Sequence, residues 1–476
     1  MIRLRRRPVI VSNRAPFEPG PDGRLKRGAG GVVTALLPLA RRLGADWVAN
    51  GPPGAEIAET GYEAGVIRYA KPDPEEFRKH YGVISNPILW NTQHYLWDLA
   101  REPRFNGDIR EAWRNGYVKV NRQMAEVAAG LAGSRGSRPL FLVQDYQLYL
   151  VPGYIRSLLP GARIQHFTHI PWPTAQYWRV LPRELRDGIV DGLLGADVLG
   201  FQTSLDVHNF LLTCEENRGL RIDYDSAVVH VGRRTVPIRA YPISIDVEAT
   251  RTLAGSKAVA AEEDRLRSWR PEHLIVRVDR TDPTKNVVRG FLAYERMLQD
   301  HPELAGRVQF WSFLQPSRQD VPGYRSLTHS ITSTAERINA ELGRNGWLPI
   351  RLELGENVRR AMAAYRNFDV LLVNSIFDGM NLVAKEGTLV NRRDGVLVLS
   401  ENTGVHEELG DYALSVNPFE VDGTAEALYR ALTMSDSERA RRGRACREAV
   451  LRNDITRWIN RQLEDLEELS RTARSA

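Results

Sequence analysis

The chain has 476 residues, 42% hydrophobic and 26% charged, a length that suggests about two domains rather than one ordinary core. Its formal net charge of +6 is a weak bias toward anionic ligands and points to no nucleic-acid partner. No stretch approaches the ~20 apolar residues of a membrane helix, and Cys214 and Cys446 offer neither a disulfide framework nor a thiolate metal site.

The basic run from Met1 to Arg7 leads directly into Val9-Ile10-Val11. It has no apolar leader region and no cleavage site, so a solvated tail and a cytoplasmic protein are expected. Short apolar runs then recur: Val9–Val11, Leu140–Val143, Ile164–Phe167, Leu274–Val278, Val308–Trp311, Val370–Val373 and Val396–Leu399. Such runs suit parallel strands buried on both faces. Helical stretches lie between them, for example Val287 to Leu298 and Ala425 to Leu432, with Thr424 as N-cap of the second. The pattern is α/β, doubly wound, and occurs twice. A seam near Tyr241–Ile245 divides the chain into an N-terminal Rossmann-like unit, 1–243, and a C-terminal one, 244–454. A last helix, 455–476, capped by Asp454, is expected to pack back on the first. Two such domains facing each other leave a cleft, with ligands outside the carboxyl ends of the strands.

The chemistry-bearing residues follow strands. Ser12-Asn13-Arg14 and Gly28-Ala29-Gly30-Gly31 come after the first strand, before a helix expected from Val32. Backbone N–H groups at a helix start favour an anion, and Arg14 offers a bidentate phosphate contact. The spacing is neither a Walker loop nor GxGxxG. Asp145 and His169 each follow a strand; either residue type is as readily structural there. Arg280 and Lys285 sit five residues apart after a buried strand, which suits a diphosphate: fixed cations stabilise charge on a leaving group. Asp378-Gly379-Met380-Asn381-Leu382-Val383-Ala384-Lys385-Glu386 turns into a helix whose first N–H groups suit a phosphate. In it Glu386, about two turns in, is placed to accept from a ribose. Asp378 is either a sugar ligand or a plain helix cap.

The segment Asp378–Glu386 resembles that of trehalose-6-phosphate synthases. So do His169-Ile170-Pro171, Asp145-Tyr146, the Arg280/Lys285 pair and Pro316-Ser317-Arg318, in the same order, from about Val9 to about Trp458. The resemblance implies a retaining glycosyltransferase of the GT-B type, free of metal and other cofactors. It would move glucose from a nucleotide-sugar donor, UDP- or GDP-glucose, to the anomeric hydroxyl of a sugar-phosphate acceptor, glucose 6-phosphate. Arg280 and Lys285 would hold the donor diphosphate, Asp378 and His169 its sugar, and Glu386 its ribose. Gly30, Gly31, Gly379, Met380, Asn381, Leu382 and Val383 complete the donor set. Arg14, Tyr81, Trp90, Asp145 and Arg318 would bind the acceptor. Arg280, Lys285, Asp378, His169 and Asp145 form the catalytic set, and the leaving phosphate oxygen would itself take the acceptor proton. A homo-oligomer is left open.

Trp172, Phe377 and Thr281-Asp282-Pro283-Thr284 depart from the family's usual residues. Trp172 and Thr281-Asp282-Pro283 resemble instead the related validoxylamine-phosphate synthases, which couple pseudo-sugars. Three rival readings remain: a metal-dependent transferase using Asp223-Tyr224-Asp225, a glycosidase using two carboxylates such as Asp145 and Asp378, and a non-catalytic sensor that binds sugar phosphates.

Overall fold

The structure is a computed structural model that describes residues 7–19, 25–27, 31–51, 58–133, 139–267, 270–318 and 322–475. Its chain divides into two compact units, Met1–Pro242 with Trp458–Ala476, and Ile243–Arg457.

The first unit is built on a ten-stranded sheet. In chain order its strands are β1 (Val9–Ser12), β2 (Asp46–Asn50), β3 (Glu59–Tyr62), β4 (Gly65–Ala70), β5 (Leu140–Gln144), β6 (Arg163–Phe167), β7 (Val198–Phe201), β8 (Arg221–Asp223), β9 (Val228–Val231) and β10 (Arg234–Ala240). They lie in the order β8-β9-β10-β7-β6-β5-β1-β2-β4-β3, and the run from β10 to β4 is parallel. β1 and β5 are buried along their whole length, as a sheet covered on both faces requires. Antiparallel partners close both edges. Aromatic side chains fill the core beneath the site: Trp172 meets Trp178 at 4.4 Å and Phe210 edge-on at 4.9 Å.

The helix Ile455–Ser475 begins where the Asp454 carboxylate accepts the Arg457 N–H. From Trp458 onward it belongs with the first unit. Trp458 stands edge-on to Phe167 and donates to the Tyr241 carbonyl, and Gln165 donates to Gln462.

The second unit has six parallel strands: β11 (His273–Arg280), β12 (Val308–Gln315), β13 (Ile350–Leu354), β14 (Val370–Val373), β15 (Val396–Ser400) and β16 (Leu414–Val416). Their order is β13-β12-β11-β14-β15-β16, the doubly wound arrangement that reverses between the first and fourth strands. The helix Val287–Asp300 covers one face, with Phe291 and Tyr294 set against Phe310. Burying a Phe side chain stabilises by roughly 1.5–3 kcal/mol.

Three local expectations change. The helix expected from Ala425 spans Val421–Thr433, and Thr424 does not cap it: its hydroxyl donates to the Glu420 carbonyl inside the first turn. The helix expected from Val32 starts at Gly31. Glu386 lies in the second turn of Leu382–Val390, as its fifth residue.

Candidate active site

A doubly wound sheet opens a crevice where its strand order reverses, outside the carboxyl ends of the two diverging strands. In the first unit those strands are β1 and β5, and in the second β11 and β14. The residues singled out from the sequence lie largely just past these four strands.

In the first unit, β1 ends in Ser12, whose hydroxyl accepts from Trp47 at 2.7 Å and donates to the Arg14 carbonyl at 2.7 Å. Asn13 is held by Asn50 at 3.0 Å. This fixes the backbone and leaves the Arg14 side chain exposed, with its guanidinium donating to the Tyr81 hydroxyl at 3.2 Å. Tyr81 stacks on Phe77 from a widened, π-type helix, Arg78–Trp90. Such turns are rare and frequent at functional sites. Trp90 ends that helix, packed on His94 at 4.1 Å and on Tyr146. Gly30 lies outside the described residues, and Gly31 opens the helix Gly31–Leu43.

Past β5, Asp145 has φ +74°, a conformation L-residues seldom adopt and one that clusters at ligand sites. Its carboxylate accepts the His169 N–H at 3.1 Å, and its carbonyl meets His166 Nε2 at 3.2 Å. His169 Nε2 pairs with Gln144 Oε1 at 3.0 Å. Desolvation pushes both imidazoles down to about 3, so they are neutral at ordinary pH. A neutral imidazole beside an amide suits sugar hydroxyls better than phosphate.

In the second unit β11 carries Arg280 at its exposed end. The buried Asp282 carboxylate then caps the next turn, accepting from the Thr284 N–H and hydroxyl. Asn286 follows with φ +58°, and the helix starts at Val287. Between them Lys285 pairs with Asp378. Asp378 follows β14 and also accepts from Ser375 at 3.2 Å and Asn381 at 3.1 Å. The cap of helix Leu382–Val390 is Asn381, with φ +75° and its side chain accepting the Ala384 N–H, so Asp378 is not a capping residue.

Gly379 and Met380 are buried in the turn, and Met380 accepts the Val405 N–H at 2.9 Å. Leu382 and Val383 supply the first N–H groups of the helix, which have no partner within it. Burial raises the Glu386 carboxyl to about 7. Lys385, fully buried, donates to Glu408 and to the Ile243 carbonyl, each at 2.9 Å. Arg318, at φ +47°, donates to the Tyr324 hydroxyl and lies 3.8 Å from Asp282.

The departures from the family pattern turn inward. Trp172 is 1% exposed and donates to the Thr213 hydroxyl at 3.0 Å; Thr281 and Asp282 are fully buried. The Asp223 carboxylate accepts the N–H groups of Asp225 and Ser226 within a hairpin turn. Gln144, Tyr324, Asn374 and Arg277 were missed in the sequence. Arg277 alone left a signal there: a charge inside the apolar run Leu274–Val278.

Residues 7–468 match the model of glycosyltransferase family 20. The chain is 35% identical over 469 residues to the bifunctional trehalose-6-phosphate synthase/phosphatase of Thermoproteus tenax, covering 94% of this chain and 62% of that longer protein. It is 31% identical over 456 residues to the validamine 7-phosphate valienyltransferase of Streptomyces hygroscopicus subsp. jinggangensis, covering 92% of this chain and 88% of that one. The crystal structure of an α,α-trehalose-phosphate synthase (UDP-forming) from Burkholderia xenovorans, in complex with glucose-6-phosphate, superposes with TM-score 0.85 at 29% identity, over 97% of this chain and 100% of that one. A family match over nearly the whole length, joined to two doubly wound sheets with polar residues at both switch points, shows that this chain belongs to glycosyltransferase family 20, with the GT-B architecture of two Rossmann-like units.

Proposed function

We propose that the chain transfers glucose from a nucleoside diphosphate glucose to glucose 6-phosphate with retention, giving α,α-trehalose 6-phosphate. The observation that carries this reading is the cluster past β11 and β14, where Arg280 and Lys285 offer two cations and Asp378 stands against Lys285. The donor's anomeric carbon–phosphate oxygen bond breaks, and the diphosphate gains charge beside Lys285 and Arg280, which lowers the barrier. The acceptor's anomeric oxygen bonds to that carbon on the same face, and its proton passes to the departing phosphate oxygen.

Asp378, His169 and the turn from Gly379 to Val383 hold the donor's sugar and phosphates, and Glu386 its ribose. Arg14, Tyr81, Trp90, Asp145 and Arg318 bind the acceptor. The relatives support the reaction in kind, since one is a bifunctional trehalose-6-phosphate synthase/phosphatase and another an α,α-trehalose-phosphate synthase.

A second reading, coupling of a nucleotide-activated cyclitol to an amine-bearing pseudo-sugar phosphate, draws support from the valienyltransferase relative. Trp172 and Thr281-Asp282-Pro283 resemble that group too, but the Trp172 and Thr281 side chains are buried and would act on a ligand only through their neighbours. A panel of UDP-, GDP- and ADP-glucose with glucose 6-phosphate, products identified by mass, is expected to yield a non-reducing disaccharide phosphate. No disaccharide from any of them, with coupling of a valienol nucleotide instead, overturns the first reading for the second.

A further inference from the structure

Arg277 lies in the middle of β11, in a strand otherwise made for burial, and its side chain is 0% exposed. Burying a guanidinium is unfavourable unless its donors are satisfied. One pairing is local: Nε donates to Asp279 at 2.9 Å. The remaining contacts go to the two segments that carry the candidate donor site. Nη2 donates to the Lys285 carbonyl at 2.7 Å and to the Asn374 side chain. Nη1 lies 3.5 Å from the carbonyls of Asn286 and Val287.

Those two segments are also tied to each other. Asn286 donates to the Asn374 carbonyl at 3.0 Å, and the Ile376 N–H to the Thr284 carbonyl at 2.8 Å. Asn374 immediately precedes Ser375, a partner of Asp378. The guanidinium is thus the buried post on which the Lys285 turn and the Asp378 turn both rest. The turn needs one, because Asn286 holds a left-handed conformation. The fold also keeps room for the post: a Cβ on Gly290 would stand 2.6 Å from Arg277 Nη1, against 3.3 Å from Leu372 Cδ2 and 3.4 Å from Asn374 Oδ1, so among the described residues the guanidinium is the one group it would have to displace.

We propose that Arg277 is a positioning residue for the donor's diphosphate, setting the height and direction of Lys285 and its distance from Asp378 without touching the ligand. The inference rests on the reading that Lys285 binds that diphosphate. Its planar, multiply donating fork is what the site uses, so charge alone does not replace it.

The test compares Arg277→Met, Gly290→Ala and Lys285→Ala with the unaltered chain. Calorimetry with UDP and GDP, and with uridine and guanosine, separates diphosphate contacts from those of the nucleoside. Arg277→Met and Gly290→Ala should each weaken diphosphate binding by about tenfold to a hundredfold, the scale of a small misplacement of a binding group. Nucleoside binding and the acceptor KM should hold. In the double variant Arg277→Met/Gly290→Ala the loss should not exceed that of Arg277→Met, because the added methyl then has no guanidinium to displace.

Gly290→Ala keeps the buried charge and improves helix propensity, so it decides the matter if Arg277→Met fails to fold. If Lys285→Ala loses diphosphate affinity while folded Gly290→Ala keeps it, the inference falls alone. If Lys285→Ala also binds UDP and GDP normally, the donor reading falls and takes the inference with it.

Discussion

Both units reach their switch point with a parallel pair of strands, β1 beside β5 in one and β11 beside β14 in the other. The polar groups at and around those strand ends differ in kind. In the first unit, around the ends of β1, β5 and its neighbour β6, the neutral Asn13, Gln144, His166 and His169 predominate, the imidazoles kept neutral by burial, beside the single charges of Arg14 and Asp145. In the second they are opposed charges: Arg277 with Asp279 inside β11, Lys285 with Asp378 past β11 and β14, and Arg318, past β12, near Asp282. One topology therefore prepares two environments. The difference teaches that strand order decides where a ligand sits, while the residues that end the strands decide what charge it carries. On the proposed reading, neutral dipolar groups match the sugar, and Lys285, paired with Asp378, is the cation that can turn to the diphosphate.

The largest expected effect tests the charged half directly. Lys285→Ala or Arg280→Ala should lower turnover by roughly two to three powers of ten, the loss typical of one electrostatic contact to a transition state. Steady-state rates with the active donor check this. Near-normal turnover in both variants breaks the contrast between the units, since the cations would then be structural.

Much of this was legible in the letters, and the reasons are physical. Fully buried parallel strands write themselves as apolar runs, so Leu140–Val143 and Val370–Val373 marked β5 and β14 directly. β2, with Asp46 and Asn50 at its ends, and β7, interrupted by Gly200, lack that signature although both are buried. The widened helix Arg78–Trp90 has no comparable periodicity, and Pro87 within it argues against a helix. Tyr81 and Trp90 were accordingly reached through resemblance rather than pattern. Arg277 was readable as an anomaly but not as a post, because its partners lie 8 and 97 residues further along the chain. The same holds for Asp282: its link to Tyr324 spans 42 residues.

A smaller effect sharpens the comparison through acid stability. His80 is fully buried in the first unit, stacked on Tyr117 at 5.2 Å, and neither ring nitrogen has a hydrogen-bond partner among the described residues. Burial pushes it down to about 3 from 6.5, as it does His166 and His169. Between those values the unfolded chain binds protons that the folded one refuses. The stability these histidines contribute is therefore complete above about pH 6.5 and falls toward pH 3, by about 1.4 kcal/mol per pH unit for each of them. His80→Phe should keep the packing and reduce proton uptake on unfolding at pH 5 by about one proton. Denaturant titrations at pH 5 and pH 8 read the difference. An unchanged slope would mean that His80 protonates in the folded state.

The second unit contains a group of opposite sign, and it carries the smallest expected effect. Glu386 is half-buried, and desolvation raises its carboxyl from 4.5 to about 7. The unfolded chain ionises this group near 4.5 while the folded one still holds the proton. Its contribution to stability therefore declines as pH rises from about 4.5 to about 7, the reverse of the histidines. If Glu386 accepts hydrogen bonds from the donor's ribose, its ionised form should bind better, because a charged acceptor forms the stronger bond. The donor KM should then fall by about fivefold as pH rises through 7, the difference between a neutral and a charge-assisted hydrogen bond. Glu386→Gln keeps a neutral acceptor of similar size, so its donor KM should be higher at pH 8 and flat across the same range. The acceptor KM of either enzyme supplies the control, since the ribose contact does not enter it. A donor KM that rises with pH in the unaltered chain would place the protonated carboxyl in the working state, donating to the ligand rather than accepting from it. A pH dependence that survives Glu386→Gln would assign the titration to another group and remove Glu386 from the ribose site.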